Sequence, residues 1–446
     1  VRRSRVILLT VAAAVVLSLV LVVVSQRMLV AGREVAWSVD LDDRLELVDV
    51  DDDRVLIHDR LGAVVLDRES GEVLQRVDYS VGREPTALLV PDGVVSYGRG
   101  VQRSRPHAAA LAFHAQPDTP VAGNSAAEAT WTVPSDDDVT TLRILGLDVD
   151  AGVLAYYESV PGYSRVRGID LGAGSEVWEE PVDAVLVPSL PLRGGRGSDP
   201  VPTARFVMPV SHDDGESPAD EEFSLRSTES GEELGRFPGS TGWVTDRMIV
   251  EEFRDGACGV GAWLDGVPLE FRAVDTEECV ILAVAEPDTV FILDKEIGST
   301  STRLHRWNLT DDSVAMLIDD VDMSGRHARD RWAGRVSAAF TLNRHDEAVV
   351  VLDSTSAEEL VRWPVESPWS IEAGPDAVLV TTALPGWRAL LGGAKGAEPR
   401  YLQVRDPRTG DTSGRLVLDR APWSAHVLDG RSAIVIAEGT VTMLRI

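Results

Sequence analysis

RVLIHDRLGAVVLDRESGEVLQRVDYS, residues 54–80, decides how the rest of the chain is read. RVLIHD is rich in aliphatic and β-branched residues and is cut short by a charged turn. AVVLDRE repeats the pattern, and EVLQRVDYS repeats it again after the turn ESGE at 69–72. Gly71 supplies the positive φ that such a tight turn needs. LELVDVD at 45–51 adds an earlier strand on the same terms. Alternating apolar residues bounded by turn chemistry predict strands. Residues 45–80 therefore read as one antiparallel unit of four strands.

The unit recurs. It returns in GVLAYYESVPGYSRVRGIDLGAGSEVW (152–178), RFVMPVSHDDGESPADEEFSLRSTESGEELGRF (205–237) and AAFTLNRHDEAVVVLDSTSAEELVRW (338–363). It returns again in AVLVTTALPGWRALLGGAKGAEPRYLQVRDPRTG (377–410), and the chain ends on SAIVIAEGTVTMLRI (432–446). A recurrence of roughly 45–50 residues marks a repeat architecture. Four-stranded units in series predict an all-β fold, a β-propeller. Counting the units directly gives nine, with 237–271 and 317–332 the least regular. Propellers typically hold four to eight blades, so eight four-stranded blades are expected and seven are the alternative. Residues 432–446 lack a fourth strand, while EVAWSVDL at 34–41 is a strand without a unit. Pairing these two segments would close the fold with both ends of the chain and place Trp37 at the seam.

Composition narrows the class. The chain has 446 residues, 44% of them hydrophobic, so it has apolar mass enough for a large core. Lys+Arg number 43 and Asp+Glu 72, a formal net charge of −29. That balance excludes a general nucleic-acid binder, which needs a basic footprint. Two cysteines exclude a disulfide-rich scaffold and a multi-cysteine metal protein.

Arg2, Arg3 and Arg5 precede VILLTVAAAVVLSLVLVVV (6–24), a run of 19 uncharged residues. As a helix it would reach about 28 Å, close to the hydrocarbon thickness of a bilayer. Basic residues on its N-terminal side predict a cytoplasmic N-terminus. The expected organisation is a cytoplasmic tail 1–5, a single-pass transmembrane signal anchor 6–24, a short linker 25–33 and an extracytoplasmic propeller 34–446. A cleaved signal peptide is the rival reading, with a poor cleavage site at Ala31. No cysteine follows the run, which excludes lipoprotein processing. Residues 1–27 hold four Arg and no acid, so the exported part carries −29 − 4 = −33. A charge of that size repels anionic head groups and holds the body off the membrane surface. Arg far outnumbers Lys and the chain begins with Val, both in keeping with a bacterial, GC-rich source.

The tryptophan after a Gly-turn strand pair, as in EVW (176–178) and ELVRW (359–363), resembles the PQQ-like β-propeller repeat. So do VAWSVDL near the start and LDRESGE at 66–72. The resemblance covers residues 34–446, and it implies that each turn-plus-Trp element docks one blade onto the next. Phe237 stands where one docking Trp would be, and several units lack the glycine. Quinoprotein dehydrogenases of this kind carry an adjacent Cys–Cys pair over the cofactor and a calcium held by Glu, Asn and Asp. This chain has only Cys258 and Cys279, which are not adjacent, and no matching acid–Asn set. The resemblance thus points to the membrane-anchored, non-enzymatic members, with no cofactor and no metal expected.

Cys258 and Cys279 lie in loops that an up-and-down blade places at the same end. A disulfide between neighbouring blades is expected outside the cytoplasm, and two unrelated buried thiols are the alternative. The eight histidines are scattered and read as loop or surface residues. HExxH, GxSxG and phosphate-binding glycine loops are all absent from the sequence. Asp49, Asp51 and Asp53 alternate like calcium ligands, but the Gly and Glu that complete such a loop are missing. The loops between second and third strands vary most, and they should project at one end of the blades. Arg99, Arg103 and Arg105 form a basic island there, with Tyr163 and Trp387 as exposed aromatics. These five are the candidate ligand-binding residues; no catalytic residue is identified. The expected function is a membrane-tethered binding or scaffold module for a protein or cell-envelope ligand. The alternative is an enzyme, a divergent PQQ-dependent dehydrogenase or a propeller hydrolase.

Overall fold

The computed structural model describes residues 35–41, 45–58, 62–78, 83–100, 109–117, 127–134, 141–160, 163–182, 204–210, 222–238, 241–244, 248–254, 258–264, 267–272, 276–285, 289–296, 302–318, 336–343, 346–353, 359–364, 370–373, 377–383, 399–417, 422–429, 432–437 and 439–445. Among these, every regular element is a strand. No helix long and apolar enough to cross a membrane occurs among them, and the expected tail, anchor and linker (1–33) lie outside them.

The chain divides into two compact units, residues 41–332 in one and residues up to 40 with 333 onward in the other. β1 (Val35–Asp40) belongs to the second of these. In the larger unit, β2 (Glu46–Val50), β3 (Arg54–His58), β4 (Gly62–Asp67) and β5 (Val73–Asp78) form one antiparallel sheet in chain order. The next sheet holds β6 (Arg83–Val90), β7 (Gly93–Gly100), β8 (Ala109–Ala115) and β9 (Trp131–Pro134). A third holds β10 (Thr141–Asp148), β11 (Val153–Val160), β12 (Tyr163–Asp170) and β13 (Glu176–Val182). β14 (Arg205–Val210), β15 (Glu222–Ser227) and β16 (Glu233–Pro238) make a sheet of three. β17 (Thr241–Val244), β18 (Met248–Arg254), β19 (Cys258–Leu264) and β20 (Val267–Arg272) follow. β21 (Thr276–Ala285), β22 (Thr289–Glu296), β23 (Thr302–Asn308) and β24 (Ser313–Ile318) complete the unit.

The smaller unit begins with a three-stranded sheet of β25 (Val336–Asn343), β26 (Asp346–Asp353) and β27 (Glu359–Pro364). β28 (Ser370–Ala373), β29 (Val378–Ala383), β30 (Pro399–Arg405) and β31 (Thr412–Val417) form the next. The last contains β32 (Pro422–Asp429), β33 (Ser432–Ala437), β34 (Thr440–Arg445) and, from the other end of the chain, β1.

The described residues thus form nine sheets, seven of four strands and two of three. Among the described residues seven four-stranded blades are found rather than eight, matching the alternative. The irregular stretch 237–271 is in fact a full sheet, β17–β20. The all-β, propeller-type reading holds within each unit, where up-and-down sheets stack face to face.

Stacking explains the sequence pattern. Leu154, Ala155, Tyr156 and Tyr157 of β11 are all buried, because the second strand of a sheet between neighbours is covered on both faces. Leu56, Val65, Leu89 and Val94 join the first two sheets. Leu88, Tyr97, Leu111, Leu142, Leu154 and Tyr156 join the second to the third. Ala155 and Tyr157, one residue out of phase, face the fourth sheet with Val166, Phe206 and Met208. Each large side chain so buried contributes about 1.5–3 kcal/mol. In the smaller unit, Val349, Val351, Trp363, Val378 and Val380 form one interface, and Leu379, Leu402, Val435 and Leu444 the next.

β1 pairs antiparallel with β34, Trp37 opposite Met443 and Asp40 opposite Thr440. Ser38 and Thr442 hydroxyls meet at 3.1 Å. The seam expected from 34–41 and 432–446 is present, and Trp37 is buried in it.

Candidate functional site

The turns between third and fourth strands fix the frame. At 67–71, 170–174, 227–231 and 406–410, the glycine N–H donates to the carbonyl four residues back, at 2.8–2.9 Å. Gly71, Gly174, Gly231 and Gly410 all have positive φ. The Asp67 carboxylate accepts from the N–H groups of Glu69 and Ser70 and from the Ser70 hydroxyl. Partial burial would raise its pKa, but these hydrogen bonds outweigh burial and lower it. Two turns receive the tryptophan of the preceding sheet. Trp131 donates its indole N–H to the Leu171 carbonyl at 2.8 Å, and Trp178 to that of Thr228 at 3.1 Å. Gly174 and Gly231 lie under those rings, so close that a Cβ would stand 2.5 Å and 2.8 Å from ring carbons. Gly410 sits likewise against Trp363, with the Arg405 guanidinium 5.2 Å from the ring centre. The docking role implied for Trp178 and Trp363 is therefore met, and Trp131 joins them.

The end of the third sheet that carries Tyr163 is built on a polar network. β11 and β12 pair from Val153–Asp170 up to Val160–Tyr163, leaving a two-residue turn. Beneath it the Tyr157 hydroxyl donates to Ser164 Oγ at 2.8 Å, and Ser164 to Ser159 Oγ at 3.1 Å. On the opposite face the Glu158 carboxylate is 1% exposed. It pairs with Arg165 across the strand and lies 3.6 Å from Arg167. Arg167 also holds Glu176 at 2.5 Å, and Arg165 holds Glu179 at 3.3 Å. The Arg167 guanidinium stands 5.9 Å from the Tyr156 ring centre. Burial, reinforced by the Glu158 charge, pushes the Tyr156 phenol pKa upward. A buried carboxylate held by two guanidinium groups is not a free general base; it locks the hairpin. The sequence contained this network as YYE (156–158) facing RVR (165–167) across a short turn, a signal read only once the register is known.

Tyr163 is the first residue of β12 and Arg99 the seventh of β7, so both belong to strands rather than to loops. Each lies at the end of its sheet where second and third strands connect. Their side chains, with all of Arg103, Arg105 and Trp387, lie outside the described residues. Cys258 opens β19 and Cys279 is the fourth residue of β21, in consecutive sheets; their side chains also lie outside the description.

His114 departs from the surface placement expected of the histidines. It is buried at 2% exposure in β8, and its Nε2 meets Ser96 Oγ at 3.0 Å. Nδ1 lies 3.2 Å from the Ala127 carbonyl, so it carries the proton and Nε2 accepts from Ser96. Serine–histidine contact of this kind can activate a nucleophile. Here Ser96 is fully buried, which denies a substrate access, and Gln75 seals the same corner by donating to the carbonyls of His114 and Ala115. Burial holds the imidazole pKa below its ordinary value, against the opposing pull of the Ala127 and Glu128 carbonyls.

The alternating aspartates are engaged within the protein. Asp49 accepts from the N–H groups of Val50 and Leu89, the latter on the next sheet. Asp51 accepts from the Asp53 and Arg54 N–H groups and pairs with the Arg54 guanidinium at 2.6 Å. Arg54 in turn donates to the carbonyls of Val90 and Gly93. These acids stitch two sheets together. No cluster of three metal-ligating side chains occurs among the described residues.

No protein-family model matches the sequence, and no curated protein does. Among solved structures, one of a eukaryotic initiation factor is similar at a TM-score of 0.51 and 9% identity, over 88% of this chain and 92% of that one. BamB from Moraxella catarrhalis is similar at 0.42 and 11% identity, over 93% and 98%. The quinohemoprotein alcohol dehydrogenase from Comamonas testosteroni is similar at 0.42 and 11%, over 93% and 76%. At such identities the likeness extends to the fold and stops there.

Proposed function

We propose that the chain is a membrane-tethered, extracytoplasmic propeller that binds a protein or cell-envelope ligand at the end of the larger unit's sheets where Arg99 and Tyr163 lie, with Arg103, Arg105 and Trp387 as further candidates from the sequence. The observation that carries this reading is the hairpin of β11 and β12. Its turn is pinned from below by Tyr157–Ser164–Ser159 and by the Glu158–Arg165–Arg167 network. A stiff base under a projecting turn is an arrangement by which scaffolds present binding residues. Glu158, His114 and Asp49 are each engaged with neighbouring strands, which favours a binding module over an enzyme. Arginine and tyrosine are residue types that dominate binding hot spots.

A photo-crosslinking residue at position 163 in the full-length chain, expressed in its native envelope, tests the proposal. It should capture a discrete partner or glycan, while the same residue at Val149, exposed at the other end of that sheet, should not. Equal capture at both positions, or none at either, would overturn it. Addition of PQQ with calcium should leave the melting temperature unchanged; a rise would favour the quinoprotein alternative.

A further inference from the structure

We infer that the outer edge of β24 is a strand-addition site for an extended segment of a partner protein, apolar at alternate positions and flanked by basic residues. β24 is the last strand of its sheet, hydrogen-bonded to β23 alone among the described residues. An edge of this kind offers a row of backbone donors and acceptors, and proteins normally blunt it with charge or proline. The other outer strands follow that rule. β5, β13, β16, β20, β27, β31 and β1 each contain at least one charged residue, and β9 ends in Pro134. β24 reads SVAMLI, without charge, glycine or proline. It also carries no docking tryptophan. Val314 is 45% exposed and Met316 55%, on one face of the strand.

The strand is held ready. Trp307, fully buried in β23, lies opposite Val314, and its indole donates to the Asp312 carboxylate at 2.9 Å. Asn308 Oδ1 accepts from the N–H groups of Thr310 and Asp311. A preformed edge reduces the ordering cost of pairing.

Charge selects the occupant. Asp311 and Asp312 precede the strand, and Asp319, Asp320 and Asp322 follow it, in a chain of net charge −29. A second copy carries the same strongly negative charge and is repelled whichever way the edges pair. An apolar strand with Lys or Arg at its ends matches the pattern instead. This surface is separate from the loop end carrying Tyr163, and the two proposals stand or fall independently.

The test uses the full-length chain in detergent and a fluorescent peptide of alternating valine and threonine between paired lysines. Saturable binding is expected. A peptide of the same charge interrupted by proline, and one flanked by glutamates, should each bind about tenfold more weakly or worse. Met316→Glu makes the protein more acidic yet should also weaken the lysine-flanked peptide about tenfold, because it places a charge on the edge. An unchanged melting temperature, expected at so exposed a position, shows that the variant is folded. Equal binding of the proline-interrupted peptide, or undiminished binding to Met316→Glu, would reduce the interaction to bulk charge and overturn the inference. Self-association of the chain that Met316→Glu abolishes would identify a second copy as the occupant and overturn it equally.

Discussion

Trp178 reaches from the outer strand of one sheet to the Thr228 carbonyl in the turn of the next, a contact between residues fifty apart in the chain. Gly231 forms the floor under its ring, as Gly174 does under Trp131. Tryptophan, carbonyl and glycine act as one joint, repeated where sheets of the larger unit meet.

The joint can be weighed by comparing two glycines. Gly174 and Gly152 both have φ near +66°, but only at Gly174 would a Cβ meet a ring, 2.5 Å from Trp131 Cγ. At Gly152 nothing lies within 4 Å. Gly152→Ala should cost only the positive-φ penalty, about 1–2 kcal/mol. Gly174→Ala should cost that and about 1–3 kcal/mol more, from displacing the indole. Urea melts of the two variants check this, and equal losses would mean the ring gives way freely.

His114 predicts an acid-sensitive core. Its folded pKa lies below the ordinary value of 6.5, so the unfolded chain binds the proton more readily. Stability should therefore fall as pH drops below about 6.5, by up to roughly 1.4 kcal/mol per pH unit until the folded pKa is reached. His114→Gln keeps a donor and an acceptor but cannot titrate. Its stability should be flatter than wild type between pH 7 and 5, as read by thermal melts.

Glu158 predicts a local effect. Glu158→Gln leaves Arg165 and Arg167 with Glu176 and Glu179 as partners but removes the buried charge between them. Amide exchange at residues 159–164 should quicken several-fold, while the distant turn at 406–410 keeps its protection. A uniform change across the protein would argue against a hairpin lock.

The cysteines carry a covalent prediction. Protein isolated from an oxidising compartment and denatured without reductant should show no free thiol. Cys258→Ser with Cys279→Ser should lose about 3 kcal/mol, the value for a loop of this length. Two titratable thiols in the untreated protein would favour the unpaired alternative.

Much of the architecture was readable in the letters. LELVDVD, RVLIHD, AVVLDRE and EVLQRVDYS are β2 to β5, because alternation and turn glycines are local properties. Trp178 and Trp363 could be assigned because their spacing from a turn is fixed within one hairpin. The pairing of β1 with β34 was legible as two incomplete units. The blade number was less so: among the described residues the sheets β14–β16 and β25–β27 have three strands each, and no regular pattern in the sequence sets that number. The candidate site was legible only as a loop end. Glu158 looked like any surface acid, since its burial depends on the register that sets Arg165 opposite. His114 read as a surface residue because its partners, Ser96 and Ala127, lie on other segments.

The bond between Thr440 and Asp40 joins residues 400 positions apart. At about 5–20 residues per second, β1 leaves the ribosome some 20–80 seconds before its partner exists. Through that interval Trp37 and the strand around it have no native place to rest. The final sheet is thus a receipt for complete synthesis: a chain stopped short of β34 leaves its first strand bare, available to chaperones and proteases as the mark of an unfinished molecule.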